Sequence, residues 1–424
     1  MKTVKIGIMG MGTVGSGVYK VIEKEGHYIA HKEGMRLEVK KVLALNYSID
    51  IPEEKKAANV DELAADPEIS VVVEVMGGIH PAKEFITKML SAGKTVVTAN
   101  KELIAKHWPE LEKVAKEHNV GLYFEASVGG GIPILRSVSD SLQANTITNV
   151  MGIVNGTTNY ILTKMCDEGG DYGEVLAEAQ KLGYAEADPT SDVDGFDTMY
   201  KLSILASIAF HVRLPIDHIY REGIRGITKE DIAYAQKLGY AMKLLAIARR
   251  EGEVVQMRVH PTMIPASHPL ANVKDSFNAI FLTGSAVGDV MFYGRGAGDL
   301  PTASAVVSDV ICAAKTLEHK YVTFMNEEAR ISPTLCFEKN WETRFYIRLK
   351  VEDKPGVLAK ITTILGENDV SIRTVMQQDP GAEGQATIIL VTHEAREQNV
   401  AAALDAMRQL SEVAEVSNVI RVEE

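Results

Sequence analysis

A glycine-rich loop directly after a short apolar segment constrains the fold of this chain more than any other feature. Residues 4–9 are predicted to form a buried strand, and Gly10-Met11-Gly12-Thr13-Val14-Gly15 follows at once. In such a loop the first glycine permits a tight turn and the second lets a phosphate approach the backbone. The third lets the next helix pack closely on the strand, with its positive N-terminus facing the ligand. This context favours nucleotide binding over a purely structural turn.

The first 130 residues alternate short apolar strands with helical patterns. This alternation predicts βαβ units and a doubly wound parallel sheet of the Rossmann type, in the α/β class. The predicted strands are residues 4–9, 37–45, 71–75, 95–98 and 120–125, and the predicted helices run from the glycine loop to about residue 25 and over 81–91 and 101–118.

The rest of the chain has two further patterns. Helical and strand-like stretches are mixed over residues 132–300, which predicts an inserted α+β domain; helices are expected at 133–143, 158–168, 173–182, 197–210 and 229–249, and strands at 146–154, 252–261 and 279–284. The last 80 residues follow the order βαββαβ, which predicts a ferredoxin-like domain.

These patterns divide the chain into three domains and a linker. Residues 1–131 form the first domain, and the helix over 301–317 is expected to pack back onto it, so that about 301–325 belong to it as well. Residues 132–300 form the inserted domain. Residues 326–343 are a polar linker, and 344–424 form the last domain.

The charge balance limits the possible partners. The 45 Lys and Arg residues stand against 57 Asp and Glu residues, so the net charge is −12. This argues against a nucleic-acid or membrane-surface binder, because both need clustered basic residues. No apolar run approaches the length of a membrane-spanning helix. The three cysteines have neither disulfide nor metal-site spacing, which indicates a reducing, cytoplasmic setting.

An acidic stretch is the second feature with chemical meaning. Residues 184–197 hold five carboxylates and no Lys or Arg; they are Glu186, Asp188, Asp192, Asp194 and Asp197. Such a stretch either binds a cation or faces solvent. The more specific hypothesis is a cationic substrate group, such as the ammonium of an amino acid.

Two lysines are candidates for proton transfer. Lys201 is the only charged residue from Met199 to Phe210, so it is expected to point into a cleft. The alternative is a surface Asp197–Lys201 pair at helical spacing. Lys101 follows the predicted strand 95–98, at the sheet edge where ligands of doubly wound folds bind. It could equally be a surface lysine after a helix cap.

Together these segments resemble homoserine dehydrogenase over nearly the whole chain. The resemblance is carried by the glycine loop, Thr98-Ala99-Asn100-Lys101, Phe124-Glu125-Ala126-Ser127-Val128-Gly129-Gly130-Gly131-Ile132-Pro133, Gly152-Ile153-Val154-Asn155-Gly156-Thr157-Thr158-Asn159-Tyr160, Gly183-Tyr184-Ala185-Glu186-Ala187-Asp188-Pro189 with Asp192, Asp197 and Lys201, and Tyr293-Gly294-Arg295-Gly296-Ala297-Gly298 with Pro301-Thr302-Ala303. The tail resembles an ACT regulatory domain, with Asp353-Lys354-Pro355-Gly356-Val357-Leu358 at its first helix. No kinase-like segment precedes residue 1, so we expect the monofunctional form.

The resemblance implies an NAD(P)-dependent oxidoreductase that interconverts L-homoserine and L-aspartate 4-semialdehyde, on the route to threonine, isoleucine and methionine. Lys201 would be the general acid/base, with Lys101 as its helper. Glu186 and Asp197 would hold the substrate ammonium and orient Lys201, supported by Asp192. The implied cofactor-binding residues are Gly10, Gly12, Thr13, Val14, Gly15, Thr98, Asn100, Lys101, Gly156 and Gly298. A structural monovalent cation such as sodium would be held by Glu125, Val128, Gly130 and Ile132, largely through backbone oxygens.

Several alternatives stay open at this point. Ala44-Leu45-Asn46-Tyr47 is neither acidic nor basic, so NAD and NADP both fit, with NADP slightly favoured. The ACT domain is either a dimerisation module or a site for an amino acid, threonine first, near Pro355-Gly356 and Asn368-Asp369. The assembly would be a homodimer or homotetramer. The rival functions are an aspartate-semialdehyde dehydrogenase with an activated cysteine, and a non-catalytic amino-acid or redox sensor.

Overall fold

A computed structural model describes residues 1–317, 334–378 and 384–423. The strands are β1 (Lys2–Met9), β2 (Met35–Leu43), β3 (Ile69–Glu74), β4 (Thr95–Thr98), β5 (Leu122–Tyr123), β6 (Ile147–Ile153), β7 (Tyr220–Arg221), β8 (Tyr240–Glu251), β9 (Val254–Pro265), β10 (Phe277–Gly284), β11 (Gly288–Arg295), β12 (Cys336–Phe337), β13 (Glu342–Glu352), β14 (Ile372–Gln378), β15 (Gln385–Thr392), β16 (Ala395–Arg396) and β17 (Val413–Val422). The helices are α1 (Thr13–Glu33), α2 (Val60–Ala65), α3 (Ala82–Ser91), α4 (Lys101–Glu117), α5 (Ile134–Arg136), α6 (Gly156–Glu168), α7 (Tyr172–Lys181), α8 (Thr190–Val193), α9 (Phe196–Ala209), α10 (Lys229–Lys237), α11 (Asp299–Thr316), α12 (Val357–Glu367) and α13 (Glu397–Met407).

The chain divides into two compact units. Unit one comprises Met1–Gly156, Asp197–Ile219 and Phe277–Thr334, and unit two comprises Thr157–Phe196, Tyr220–Ser276 and Leu335–Glu424. No helix within the described ranges combines the length and apolarity needed to cross a lipid bilayer.

A parallel sheet forms the centre of unit one. Its strand order is β2-β1-β3-β4-β5, the doubly wound arrangement that the sequence predicts. β1 and β3 bury continuous apolar runs, as expected of strands with helices on both faces. α11 contributes its alanines and valines to the same hydrophobic core as β1.

Gly17 explains how closely α1 and α11 approach each other. A Cβ atom added at Gly17 would lie 2.6 Å from the backbone oxygen of Asp299, at the start of α11. Only glycine leaves room for this contact, so the helix after the glycine loop is held against the helix that closes the unit.

Unit one also contains three antiparallel strands, in which β10 pairs with β6 on one side and with β11 on the other. The strand predicted over residues 279–284 corresponds to β10, and β11 was not predicted. The hairpin turn ends at Gly288, whose φ of 73° only glycine adopts easily, and β11 alternates exposed and half-buried residues. This half-exposed strand lacks the continuous apolar run that made the other strands recognisable.

Unit two combines a long hairpin with the C-terminal sheet. β8 and β9 pair along their whole length, and Arg421 and Val422 of β17 pair with Thr262 and Met263 of β9. The C-terminal strands have the order β17-β13-β15-β14, with α12 and α13 in the βαββαβ sequence, which confirms the ferredoxin-like prediction.

The predicted linker falls only partly within the described residues. Residues 326–333 lie outside them, as do 318–325 of the segment assigned to the first domain. In the remainder, Cys336 and Phe337 form β12, which pairs in parallel with Val254 and Val255 of β9.

Two helix predictions are wrong. The segment 229–249 forms α10 and then β8, because the chain turns at Gly239 with a φ of 82° and its apolar continuation pairs with β9. The segment 133–143 forms a short α5 followed by a π-helical turn over Ser137–Ser141. There the hydroxyls of Ser137 and Ser139 donate to backbone oxygens four residues earlier, which disturbs a regular helix.

A buried lysine in unit two holds the first turn of α6. Lys243 of β8 donates from Nζ to Asn159 Oδ1 (3.1 Å) and to the backbone oxygen of Val273 (2.5 Å). The Asn159 amide in turn donates to the backbone oxygens of Val273 and Asp275. Burial lowers the pKa of Lys243 to about 8.

This shifted pKa predicts a pH-dependent stability. Between about pH 8 and 10.5 the unfolded chain binds more protons at Lys243 than the folded chain, so the free energy of unfolding rises with pH in that window. The rise, at most about 3 kcal/mol, should be absent from Lys243→Met. Urea denaturation of both proteins across this pH range measures the difference, and parallel pH profiles would contradict it.

Candidate active site

The glycine loop has the geometry of a phosphate-binding turn. Gly10 has a φ of 102°, and a Cβ added to it would lie 2.7 Å from the backbone oxygen of Val75. A Cβ at Gly15 would lie 2.1 Å from the backbone oxygen of Gly10, so α1 packs tightly on the turn. A Cβ at Gly12 meets no atom of the described chain within 4 Å. The open side of the loop, with Thr13 and Val14 in the first turn of α1, therefore suits a dinucleotide pyrophosphate.

The carboxyl ends of β3 and β4 form a polar cluster beside this loop. Thr98 donates from Oγ1 to Glu74 Oε2 (2.6 Å), and Glu74 Oε1 accepts from the Met76 backbone N–H (2.8 Å). Asn100 caps α4 by accepting from the Leu103 backbone N–H, and its amide donates to the backbone oxygen of Gly78. Thr98 and Asn100 therefore shape the sheet edge where Lys101 begins α4.

Asp197 connects the two candidate lysines. Its Oδ2 lies 2.6 Å from Lys201 Nζ, and its Oδ1 lies 3.0 Å from Lys101 Nζ. Asn155 also donates from Nδ2 to Asp197 Oδ2 (2.9 Å). The structure thus brings Lys101 into contact with Asp197, which stands four residues before Lys201 and nearly a hundred residues after Lys101.

Burial makes this arrangement more than a surface ion pair. The side chains of Asp197 and Lys201 are 4% and 11% exposed, whereas that of Lys101 is 43% exposed. Burial disfavours the charged form of Asp197, but the Lys201 and Lys101 ammonium groups outweigh it and hold the pKa of that carboxyl well below its usual range. The carboxylate is therefore charged throughout the neutral range.

The Lys201 ammonium is held in a defined orientation. It donates to the backbone oxygen of Val154 (2.8 Å) and to Asp197 Oδ2. An ammonium has three N–H groups, so these two acceptors leave one for a further oxygen. Lys201 is among the buried residues of the apolar helix α9, so it is not a surface lysine.

The remaining predicted cofactor positions also lie at element ends. Gly156 is the first residue of α6. Gly298 precedes α11 with a φ of 120°, and a Cβ there would lie 3.3 Å from the Pro301 ring. Both are positions where the backbone can approach a ligand closely.

The predicted cation loop is organised by hydrogen bonds to Glu125. Its carboxylate accepts from the backbone N–H groups of Leu135 (2.9 Å) and Arg136 (2.8 Å), so it caps α5. Burial and the neighbouring Asp309 raise the pKa of Glu125 to about 7. Gly129 and Gly130 have φ values of 72° and 55°, which turn the backbone of this loop. The backbone oxygens of the loop are ligands of the kind that a monovalent cation prefers.

Acidic side chains alone provide no metal site. Among the described residues, no group of three or more His, Cys, Asp or Glu side chains is placed to hold a metal ion.

The other predicted substrate residues lie in unit two. Glu186 is exposed, and its backbone oxygen accepts from the Gln180 amide (2.9 Å). Asp192 lies in α8. Asp194 pairs with Arg225, at 2.5 Å between Oδ1 and Nε. The five carboxylates of the acidic stretch therefore have different surroundings, and Asp197 alone among them is buried.

The surroundings of the three cysteines differ, and the Cys312 sulfur accepts from Arg136 Nη1 at 2.8 Å. Burial raises the pKa of the Cys166 and Cys312 thiols, which disfavours the reactive thiolate. Cys336 is exposed in β12. This argues against the cysteine-dependent dehydrogenase that the sequence left open.

The contacts of Glu74, Asn155 and Arg225 were not predicted from the sequence. Glu74 was recognisable as an acid inside a β-branched run, since such a residue is buried only with partners. Asn155 belongs to the motif over residues 152–160, but its contact with Asp197 joins segments that are distant in the sequence. Nothing in the local sequence marks Arg225.

Comparisons with known proteins show the family to which the chain belongs. Family models match residues 10–125 (homoserine dehydrogenase, NAD binding domain), 133–311 (homoserine dehydrogenase) and 345–412 (ACT domain). The homoserine dehydrogenase of Bacillus subtilis is 42% identical over 433 residues, which cover 100% of this chain and 99% of that protein.

Solved structures give the same result. A homoserine dehydrogenase from Thiobacillus denitrificans superposes with a TM-score of 0.93 at 39% identity, covering 100% of this chain and 99% of that one. A hyperthermophilic archaeal homoserine dehydrogenase in complex with NADPH has a TM-score of 0.63 at 29% identity, covering 74% and 98%. The chain belongs to the homoserine dehydrogenase family, with an NAD-binding domain and a C-terminal ACT domain.

Proposed function

We propose that this enzyme interconverts L-homoserine and L-aspartate 4-semialdehyde, with Lys201 as the general acid/base. The observation that carries this proposal is the buried Asp197 carboxylate between Lys201 and Lys101, next to the carboxyl end of β4. That edge is where doubly wound sheets bind their ligands. A purely sensory role would not require a buried lysine that keeps a donor available after its contacts with Asp197 and Val154 within the described part of the chain.

The two lysines have different tasks in this mechanism. Reduction of an aldehyde develops negative charge on its oxygen, which needs a nearby cation and then a proton. Lys201 supplies both through its remaining N–H, while Asp197 fixes the ammonium in place. Lys101 is more exposed, so it is suited to pass protons to solvent and to contact the cofactor or substrate. In the oxidation direction the same groups accept the proton.

The glycine loop would hold the cofactor, together with Thr98, Asn100, Lys101, Gly156 and Gly298. When bound, the nicotinamide cofactor exchanges the hydride with the substrate carbon. We propose NADP as the preferred form. The archaeal relative that was solved with NADPH supports this preference, as does the absence of an acid from Ala44-Leu45-Asn46-Tyr47.

Substrate and cation sites follow from the family motifs. Glu186, Asp192 and Asp197 are assigned to the substrate ammonium, with Asp197 also orienting both lysines. A structural sodium ion is assigned to the backbone oxygens of Glu125, Val128, Gly130 and Ile132. The carbonyl groups of this glycine-turned loop support that assignment, because each carbonyl oxygen has two lone pairs.

The domain division that we propose follows the sequence. Residues 1–131, with about 301–325, bind the cofactor, 132–300 form the catalytic and dimerisation domain, 326–343 form a linker and 344–424 form the ACT domain. The three family-model matches support this division.

The proposal also covers the regulation, the assembly and the location of the enzyme. An amino-acid effector, threonine, would bind the ACT domain near Pro355-Gly356 and Asn368-Asp369. The half-exposed strand β11 carries Met291 and Tyr293 with 42% and 53% exposure, which supports a homodimer through this sheet and a homotetramer through the ACT domains. The unpaired state of the three cysteines supports a cytoplasmic location.

The assignment of Lys201 predicts a specific kinetic defect. Lys201→Ala should lower kcat roughly 10²–10⁴-fold, because general acid/base catalysis contributes about that much. Lys201→Arg should stay slow despite its charge, since the arginine proton is not released. Steady-state kinetics with a separate measurement of NADP binding tests this, and binding should persist in both variants.

The matched control for this experiment is Lys164→Ala. Lys164 also forms an ion pair four residues away, with Glu168, but its side chain is 25% exposed and outside the proposed site. It should retain normal kcat. Near-normal turnover in Lys201→Ala would overturn the assignment.

The cofactor preference predicts a higher kcat/KM with NADP than with NAD at the same homoserine concentration. The ratio is measured from the nicotinamide absorbance in parallel assays. A higher kcat/KM with NAD would contradict the proposed preference.

The effector proposal predicts inhibition by threonine that depends on Asn368. Asn368→Ser should raise the half-inhibitory threonine concentration at least about tenfold, the effect of losing one well-placed contact. The uninhibited kcat should not change. Gln398→Ala on α13 is the control and should behave like the unmodified enzyme. Equal threonine inhibition of both variants would contradict the placement.

A further inference from the structure

A short segment of unit two braces the acidic stretch that carries Asp192. Within residues 220–226, called here the bracing segment, Arg225 donates from Nε to Asp194 Oδ1 (2.5 Å) and from a terminal nitrogen to Asp194 Oδ2 (3.3 Å). The same guanidinium reaches Thr190 Oγ1 at 3.3 Å. Arg225 therefore spans α8, the helix that contains Asp192, from Thr190 at its start to Asp194 just after its end.

The backbone of the bracing segment adds further contacts to the same region. Ile224 donates its N–H to the backbone oxygen of Val193 (2.8 Å), and Arg221 donates to the backbone oxygen of Asp194. A Cβ at Gly223 would lie 2.3 Å from the Val193 oxygen, so only glycine permits this approach. The two segments are thus in contact through side chains and backbone together.

The C-terminal strand β17 holds the bracing segment from its other side. Arg421 donates to the Glu222 carboxylate and, at 2.8 Å, to the Tyr220 hydroxyl. Asn418 donates from Nδ2 to the backbone oxygen of Gly226 (2.9 Å). Arg421 is buried, so its position is fixed by these partners and by Glu397.

A continuous set of contacts therefore runs from β17 through the bracing segment to α8. We propose that Arg225 is a positioning residue for substrate binding, and that β17 sets its position through Arg421 and Asn418. This inference rests on the proposed role of Asp192 in holding the substrate ammonium. It makes homoserine affinity depend on the packing of the C-terminal domain, without any group of that domain touching the substrate.

The test is a set of kinetic constants for the full-length enzyme. Arg225→Ala should raise the KM for homoserine roughly three- to tenfold, as expected for a misplaced binding group, while kcat and the cofactor KM change little. Asp194→Asn should give the same result, and the double variant should be no worse than either single one. Arg225→Lys should recover part of the affinity.

Lys164→Ala is again the control, because Lys164 forms its partly exposed ion pair with Glu168 within α6. It should leave all constants unchanged. Asn418→Ala should raise the homoserine KM in the unmodified enzyme and have a smaller effect in the Arg225→Ala background. Equal effects in both backgrounds would overturn the link to β17.

The variant Asp192→Asn distinguishes a failure of the substrate assignment of Asp192 from a failure of the positioning role of Arg225. If it raises the homoserine KM but Arg225→Ala and Asp194→Asn do not, the bracing role is wrong and the substrate assignment stands. If Asp192→Asn leaves that KM unchanged, the substrate assignment fails and the positioning role fails with it. Arg225 is exposed, so its replacement is expected to leave the fold intact.

Discussion

The contact of one buried carboxylate with two ammonium groups is the interaction on which the proposed active site depends. Asp197 would be costly to bury alone, and Lys201 equally so. Each compensates for the other, with Asn155 and the Val154 oxygen completing the hydrogen bonds. The desolvation of these groups is offset only while all partners stay in place, so Asp197, Asn155 and the Val154 oxygen together define the position of the lysine.

The rest of unit one positions these partners. The parallel sheet brings Lys101 to the carboxyl end of β4, at the same edge of the sheet as the glycine loop that follows β1. The strand β6 ends just before Val154 and Asn155, and the apolar helix α9 carries Asp197 and Lys201 on adjacent turns. Hydride and proton transfer need such alignment, because a reacting group misplaced by about an ångström loses much of its effect.

The parts of the fold with strong local signals could be predicted from the sequence. The glycine loop and the β-branched strands predict the Rossmann sheet, and the order of elements predicts the ferredoxin-like tail. The segment 229–249 was misassigned because one apolar pattern fits a helix or a buried strand, and Gly239 decides between them. Lys101 and Lys201 were recognisable individually. The Asp197–Lys201 pair was recognisable from its helical spacing, whereas the contact between Lys101 and Asp197 was not predicted because it depends on long-range packing.

A double-mutant cycle in kcat tests the central claim most directly. Asp197→Asn, Lys201→Ala and the combined variant are compared with the unmodified enzyme under saturating homoserine and cofactor. If Asp197 acts by holding Lys201, its replacement should cost little more once Lys201 is absent, so the combined loss should be close to that of Lys201→Ala alone. Losses that multiply would mean that the two residues act independently, and would contradict this account.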